Sequence, residues 1–590
     1  MLCSIILCFS AISSTRTCFA ETAGIIYIRA DGSVDPPTAP ISTVDNTTYI
    51  LTGNVSNYIV VERDSIIVDG QGHTVQGTGN GTGLTLSGRN NLIIKNTEIT
   101  TFSIGIEFHS CSNSTIYENN ITNSGCGIYL VSSSDNNVSD NNLTNNVVGI
   151  NLASSSSNNT ISDNKITVNS YAGIQLSSTY NTVSGNIVTN NGRGIMLVSS
   201  SDNAVSGNSV TNNTDGIVLL SSSNNTVYHN NFVNNTVQTD FFGGSLNVLD
   251  NGYPLGGNYW SDYNGTDDNQ DGIGDGIGDI LYVINENNTD HYPLMYQYGS
   301  IQNLNTSLIY LTIQQAIDAN ETLDGHVIHV ETGTYEMIYT RINKSVSLLG
   351  EGMENTTIIG TIRDLRQIPI FDVFSDNVTI SGFTLTEGYT AVDILASYTH
   401  ITNCNISDNI HGIFAGHIYE LFGAVTIDGN IIANNTGNGI HLSTWSNVIS
   451  NNVIFGNSPG GIVLDTTGMS TNSTQVFGNT IENNQNGVVL GPGSNNNTLF
   501  HNNFLNNTVQ VDVWSILPYV GNEWAQNYWS DYNGTGDTPY VIDANNQDPY
   551  PLMSSYVIPE FPTFVVLPLF IIATLLAIVI YKRRILTRTL

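Results

Sequence analysis

The sequence predicts an all-β fold: two right-handed parallel β-helices with coils of about 22 residues, followed by a C-terminal transmembrane helix. Three observations predict it. One phrase recurs between Ile116 and Phe232, as IYENNIT, VSDNNLT, ISDNKIT, VSGNIVT, VSGNSVT and VYHNNFV. NNTVYHNNFVNNTVQTDF, from Asn224, returns 272 residues later as NNTLFHNNFLNNTVQVDV, from Asn496. The chain closes on 18 uncharged, mostly apolar residues, Phe564 to Tyr581, followed by Lys582, Arg583 and Arg584.

The N-terminal segment runs apolar from Leu2 to Ile12 and reaches a small residue at Ala20, so residues 1–20 read as a secretory signal peptide. Beyond it only Cys111, Cys126 and Cys404 remain, too few for a disulfide framework. Between Glu21 and Glu560 stand 10 basic residues against 49 carboxylates, a net of −39. That balance argues against nucleic-acid binding, because phosphate contacts need clustered Lys and Arg. It fits solubility, cation binding or a salty exterior.

The first module spans residues 21–298. Asn119, Asn141, Asn164, Asn186, Asn208 and Asn230 take matching places in the phrase, 22 or 23 residues apart. A Gly-Ile strand accompanies each phrase, at Gly105, Gly127, Gly149, Gly173, Gly194 and Gly216. Such short alternating strands bury one residue in two, and no helix lies between them to cover a flat sheet. Coiling the chain, one period per turn, buries every strand and stacks equivalent positions about 4.8 Å apart. Asparagines at one bend then form a ladder. The chirality of parallel connections favours the right hand, and a period of 22 rather than 18 argues against a left-handed hexapeptide helix.

The second module spans residues 299–557. Its ladder asparagines are Asn430, Asn452, Asn479 and Asn502, with spacings of 22, 27 and 23, so at least one turn carries a bulged loop. Aligning ITNCNI with the phrase puts Cys404 in the ladder column as a small buried wall residue. A single amphipathic helix, Ile313 to Ala319, is placed to plug the open end of this coil, where apolar rungs and strand edges otherwise face water.

Two resemblances follow from these residues. The segment from Ile313 to Gly360 resembles the N-terminal part of pectin-methylesterase and pectate-lyase-like β-helices, which implies a pectin-lyase-like fold. GIIYIRADGSVDPPTAPI, YIVVERDSIIVDGQGHTVQG and the repeated HNNF, NYWSDY and YPLM phrases resemble archaeal surface β-helices related to the NosD-type periplasmic copper-processing family. That likeness implies fold and export. Pro559-Glu560-Phe561-Pro562 resembles the short sorting motif of archaeal surface proteins with a sortase-processed anchor. In residues 558–590 the apolar run can just cross a membrane, and the basic cluster places the remainder of the chain outside the cell.

Candidate sites are few. Asp215 in NNTDGIVLL looks like one polygalacturonase motif, but the family's Asp-Asp, Gly-His-Gly and Arg-Ile-Lys elements are missing, as is the Asp-Phe-Ile-Phe-Gly motif of pectin methylesterases. Lyases of this fold need a Lys or Arg base, and nothing in the sequence sets Lys95, Lys165, Lys344 or an arginine beside a carboxylate cluster. Copper demands soft ligands in close array, for which His326 with His329 and His411 with His417 are the nearest approaches, with His229 and His501 at equivalent places. DDNQDGIGDGIGD offers Asp267, Asn269, Asp271, Asp275 and Asp279 as calcium ligands, matching the first half of an EF-hand loop with its glycine at Gly272. Trp260 and Trp529, with Tyr259, Tyr263, Tyr528 and Tyr532, either stack on sugar rings or lid the apolar end of each coil. Sequons such as those at Asn46, Asn113 and Asn158 fit a glycosylated exterior. The expectation is a membrane-anchored surface protein contacting polysaccharide or other envelope components. A carbohydrate-active enzyme and a copper-handling accessory stand as alternatives.

Overall fold

The computed structural model describes residues 24–243, 246–274, 280–337, 339–360, 368–416, 423–465, 473–514 and 521–557. The expected signal peptide and transmembrane helix lie outside the described residues, among which no helix is long and apolar enough to cross a membrane. The chain divides into two compact units, Met1–Gly299 and Ser300–Leu590.

In the first unit each turn from Thr82 to Val233 lays down one six-residue strand and two three-residue strands, for example Cys126–Val131, Asn137–Ser139 and Asn142–Thr144. Strands from successive turns pair in parallel and in register, Ile128 on Ile150, Val138 on Ile161, Leu143 on Ile166. The result is three sheets of 11, 10 and 9 strands running the length of a solenoid. Ile128, Leu130, Val138 and Leu143 point inward and are fully buried, and their equivalents in every turn make one continuous aliphatic core.

The glycine of each Gly-Ile pair is set by close approach. A Cβ on Gly127 would stand 2.6 Å from the Gly149 carbonyl oxygen and 2.7 Å from Leu143, and the same holds down the column. Only a residue without a side chain lets the corner close.

All three corners share one grammar: a residue with positive φ, then a buried asparagine. Asp135 precedes Asn136, Asp140 precedes Asn141 and Asn145 precedes Asn146, with φ of 59°, 57° and 58°. Asn, Asp and Gly dominate the first place because they tolerate the left-handed region. The second asparagine feeds a ladder. Asn141 donates from its backbone N and from Nδ2 to Asn164 Oδ1, both at 3.0 Å, and Nδ2 also reaches the carbonyl oxygens of Ile116 and Ser139 at 2.9 Å. One such column is legible in the sequence. The structure has three, the others running through Asn136, Asn159, Asn181, Asn203 and Asn225 and through Asn146, Asn169, Asn191, Asn213 and Asn235.

The second unit repeats the plan in sheets of 11, 9 and 8 strands. Its ladder runs from Cys404, whose N–H donates to Asn430 Oδ1 at 2.9 Å, through Asn452, Asn479 and Asn502. Cys404 is fully buried, as expected of a wall residue. The opening helix, α1, spans Ile313–Asp318, one residue shorter than anticipated, and is capped by Thr312 Oγ1 accepting from Gln315 N at 3.1 Å. Ile313, Ala316 and Ile317 face the core, so the helix covers the first turn.

Candidate functional site

The duplicated phrases converge at the C-terminal end of each unit. In the first, Phe232 and Trp260 are register partners. Trp260 is sandwiched between Phe232 and Tyr282, each with ring centroids at 4.4 Å and planes within 9°. In the second unit Trp529 lies between Phe504 and Tyr540, each at 4.2 Å. Both indoles are 1% exposed. Trp260 and Trp529 therefore offer no face to a sugar ring, and the stacking alternative fails at these two residues. They roof the aliphatic core, where a bare apolar end would otherwise meet water.

The rest of NYWSDY serves the same closure. The central ladder passes from Asn230 to Asn258 and ends on the buried Asp290, whose Oδ2 accepts from Asn258 N at 2.7 Å and Trp260 Nε1 at 2.9 Å. A carboxylate finishes a run of donors because it brings no N–H of its own that would need a partner. Asp548 takes the same role, accepting from Asn527 N at 2.9 Å and Trp529 Nε1 at 3.2 Å. Burial pushes Asp290 up to about 7 against these N–H donors. A second ladder ends on Gln238, which passes its donor to Ser261 Oγ at 2.8 Å, and Gln510 does so to Ser530 at 3.1 Å. Tyr263 and Tyr532 tie the following loop through the Ile280 and Thr538 carbonyl oxygens, at 2.7 and 2.6 Å. Tyr259 and Tyr528 pair with Asn231 and Asn503 and stay half-buried on the outer side.

HNNF has a further use. His229 stacks on Tyr298 at 4.1 Å, and Asn231 holds the Tyr298 backbone at both N and O, at 2.7 and 2.9 Å. His501, Asn503 and Tyr556 repeat the clamp. Each unit thus pins the segment that leaves it.

In the acidic loop, Asp267 Oδ2 accepts from Gly272 N at 2.8 Å, Asn269 Oδ1 from Asp271 N at 2.9 Å and Asp271 Oδ1 from Ile273 N at 3.0 Å. These turns seat Ile273, fully buried, beneath the cap. Burial, with Asp271 close by, pushes Asp267 up to about 6. Asp275 and Asp279 lie outside the described residues.

Two cations stand beside single carboxylates rather than a carboxylate cluster. Lys95 Nζ stands 3.3 Å from the buried Asp69 and Arg193 Nε 3.6 Å from Asp215. Burial raises Asp215 even with Arg193 alongside, and Asp240 adds to the rise. No motif marks these pairs, because each joins residues a full coil apart.

Fold and capped ends together define a parallel β-solenoid repeat protein. A profile of the family described as "Periplasmic copper-binding protein (NosD)" matches residues 58–265 and 324–534, one stretch in each unit. The chain belongs to that family. A cell surface glycoprotein of Methanothermus fervidus is 30% identical over 166 residues, 26% of either chain, so the present chain spans about a quarter of that relative. Among solved structures, the PL6 family alginate lyase AlyGC has a TM-score of 0.26 at 12% identity, over 82% of this chain and 95% of that one. The catalytic unit of a GH87 alpha-1,3-glucanase from Streptomyces thermodiastaticus has a TM-score of 0.23 at 12% identity, over 88% and 72%.

The described residues do not fit the copper of the family's description. Among them no three His, Cys, Asp or Glu side chains gather for a metal. His326 Nδ1 is taken by Asn303 Nδ2 at 3.1 Å and His329 by Glu351 at 2.9 Å. Cys111 and Cys404 are buried in the wall, with their thiols pushed up by burial. His417 lies outside the described residues.

Proposed function

We propose that this chain is an exported, membrane-anchored surface protein of two right-handed β-helices that contacts polysaccharide or other envelope components. The observation that supports this most is the outer surface. Thr100 and Thr122, Asn120 and Asn142, and Asn123 and Asn145 pair their polar ends from coil to coil at 3.1, 2.9 and 2.7 Å. A polar lattice repeating about every 4.8 Å suits a partner that is itself a repeating chain of hydroxyls. The Methanothermus relative, named a cell surface glycoprotein, supports the location. Tyr259 and Tyr528 are available on the outer side for such contacts. Calcium in the 267–279 loop, whose first half is shaped by the turns described, belongs to the same proposal and is tested by a calcium-dependent rise in melting temperature. Surface labelling of intact cells and a glycan array test the whole. A protein that resists labelling until cells are broken, or one that binds no glycan, refutes the corresponding half.

A further inference from the structure

The first coils of the Met1–Gly299 unit break the corner grammar. Asp69 and Lys95 are register partners on one sheet, and Thr74 and Glu98 on the next. Between them one coil spends four residues, Gly70 to His73, where the next spends two, Asn96 and Thr97. The longer bend keeps its backbone on the next coil, Gly70 N donating to the Lys95 carbonyl oxygen at 2.9 Å and Gly72 N to that of Asn96 at 2.8 Å, so the two extra residues bulge sideways. Glycine permits the approach, since a Cβ on Gly70 would stand 2.4 Å from the Asn96 carbonyl oxygen. The central asparagine column, which fills this corner further along, reaches only to Asn119, whose Oδ1 accepts from Thr97 N at 3.1 Å.

What results is a cleft of about 460 Å³, lined by Gln71, Asn96, Glu98, Glu118 and Asn120. That volume is within the range of about 300–1,000 Å³ that small-ligand clefts occupy. Beneath it the carboxylate of Asp69, 5% exposed, gathers four donors: Gln71 N at 3.0 Å, Gln71 Nε2 at 2.8 Å, Lys95 Nζ at 3.3 Å and Asn96 Nδ2 at 3.4 Å. Asp69 thereby takes one N–H from each amide and fixes both side chains where they line the cleft, each with an N–H and a carbonyl oxygen to offer. Lys95 lies 6.0 Å from the Tyr117 ring centroid. Amide and carboxylate groups on a half-open wall, fixed by a buried ion pair, are the chemistry that recognises sugar hydroxyls. Glu98 and Glu118 repel an anionic sugar, whereas a neutral one meets only acceptors and donors.

We propose that this cleft is a subsite for a neutral sugar unit of the polysaccharide. The assignment rests on the surface-glycan reading above and adds to it a place and a sugar class. The test titrates the solubilised full-length protein with gluco-, manno- and galacto-oligosaccharides and with oligogalacturonate. It is repeated with Glu98→Ala and with Glu118→Asn, which keeps a residue suited to the positive φ of that bend. The expected result is binding of a neutral oligosaccharide that weakens about tenfold or more in each variant, at unchanged melting temperature. Neutral-sugar binding that neither variant alters overturns the site and leaves the surface reading standing. Preference for oligogalacturonate overturns the sugar class. A glycan attached at Asn120, part of an Asn-Ile-Thr sequon, fills the cleft and also overturns the site. Binding of none of these probes, with a blank glycan array, removes both this proposal and the reading beneath it.

Discussion

Replacing Asn208 by alanine tests whether the ladders hold the solenoid together or merely decorate its corners. Asn208 Nδ2 donates to the Val183 and Ser206 carbonyl oxygens and to Asn230 Oδ1, at 2.9, 3.2 and 2.8 Å, and its Oδ1 accepts from Asn186 N and Nδ2 at 3.0 and 2.9 Å. After truncation Asn186 Nδ2 keeps the Ile161 and Ser184 carbonyl oxygens. Its backbone N–H loses the side-chain acceptor that served it. One orphaned buried donor costs about 1–3 kcal/mol, and the lost hydrogen bonds add about 0.5–1.5 kcal/mol each. A loss of about 3 kcal/mol is expected, which lowers the melting temperature by about 6–12 °C for a unit of this size. Urea unfolding and calorimetry measure it. Asn190→Gly is the control: Asn190 is exposed, sits at φ 57° and carries no ladder, so its replacement is expected to cost under about 0.5 kcal/mol. If the two variants lose equal stability, the ladder reasoning is wrong.

Asp290, pushed up to about 7 by burial, favours its protonated form in the folded unit. The stability it contributes is therefore full below pH 4 and is lost as pH rises through about 7, by up to about 4 kcal/mol. Asp290→Asn should flatten the stability–pH curve between pH 4 and 8, and a curve of unchanged slope refutes the assignment. Trp260→Ala removes the roof of the core and a donor to Asp290, at a cost of about 3–5 kcal/mol, and is expected to cause association visible by light scattering. Val168 is 51% exposed at φ 58°, where the neighbouring coils place Asn145 and Asn190. Val168→Asn should stabilise by roughly 1 kcal/mol in thermal unfolding, because a β-branched residue is strained there. Cys404→Asn should add a ladder donor aimed at Asn430 Oδ1 and the Thr402 carbonyl oxygen, raising stability by about 0.5–1.5 kcal/mol.

Much of the coil was legible from one line of sequence, because a solenoid repeats every requirement once per turn. The 22-residue period, the buried alternation and the Gly-Ile corner each answer to a neighbour at a fixed separation, so they appear as periodicity. The central ladder was visible for the same reason. The other two columns were hidden by composition: Asn136 and Asn146 sit among Ser and Asn residues whose neighbours point outward. The ends were half legible. Duplication marked HNNF and NYWSDY as units, but only the folded arrangement shows Trp260 enclosed by Phe232 and Tyr282, residues 28 positions before it and 22 after. The family's copper could be weighed only there as well, since His326 and His329 are close in sequence yet belong to different partners.

The sequence by itself determined the repeating wall, since backbone pairing and apolar burial act between equivalent positions one period apart and leave a periodic trace. The tertiary structure alone decided what happens where the period fails. At Gly70 to His73 two extra residues in one bend, set against Asn96 and Thr97 in the next coil, open a cleft over the Asp69–Lys95 pair. No local pattern encodes that juxtaposition, because its geometry depends on how one irregular turn stacks on a regular one.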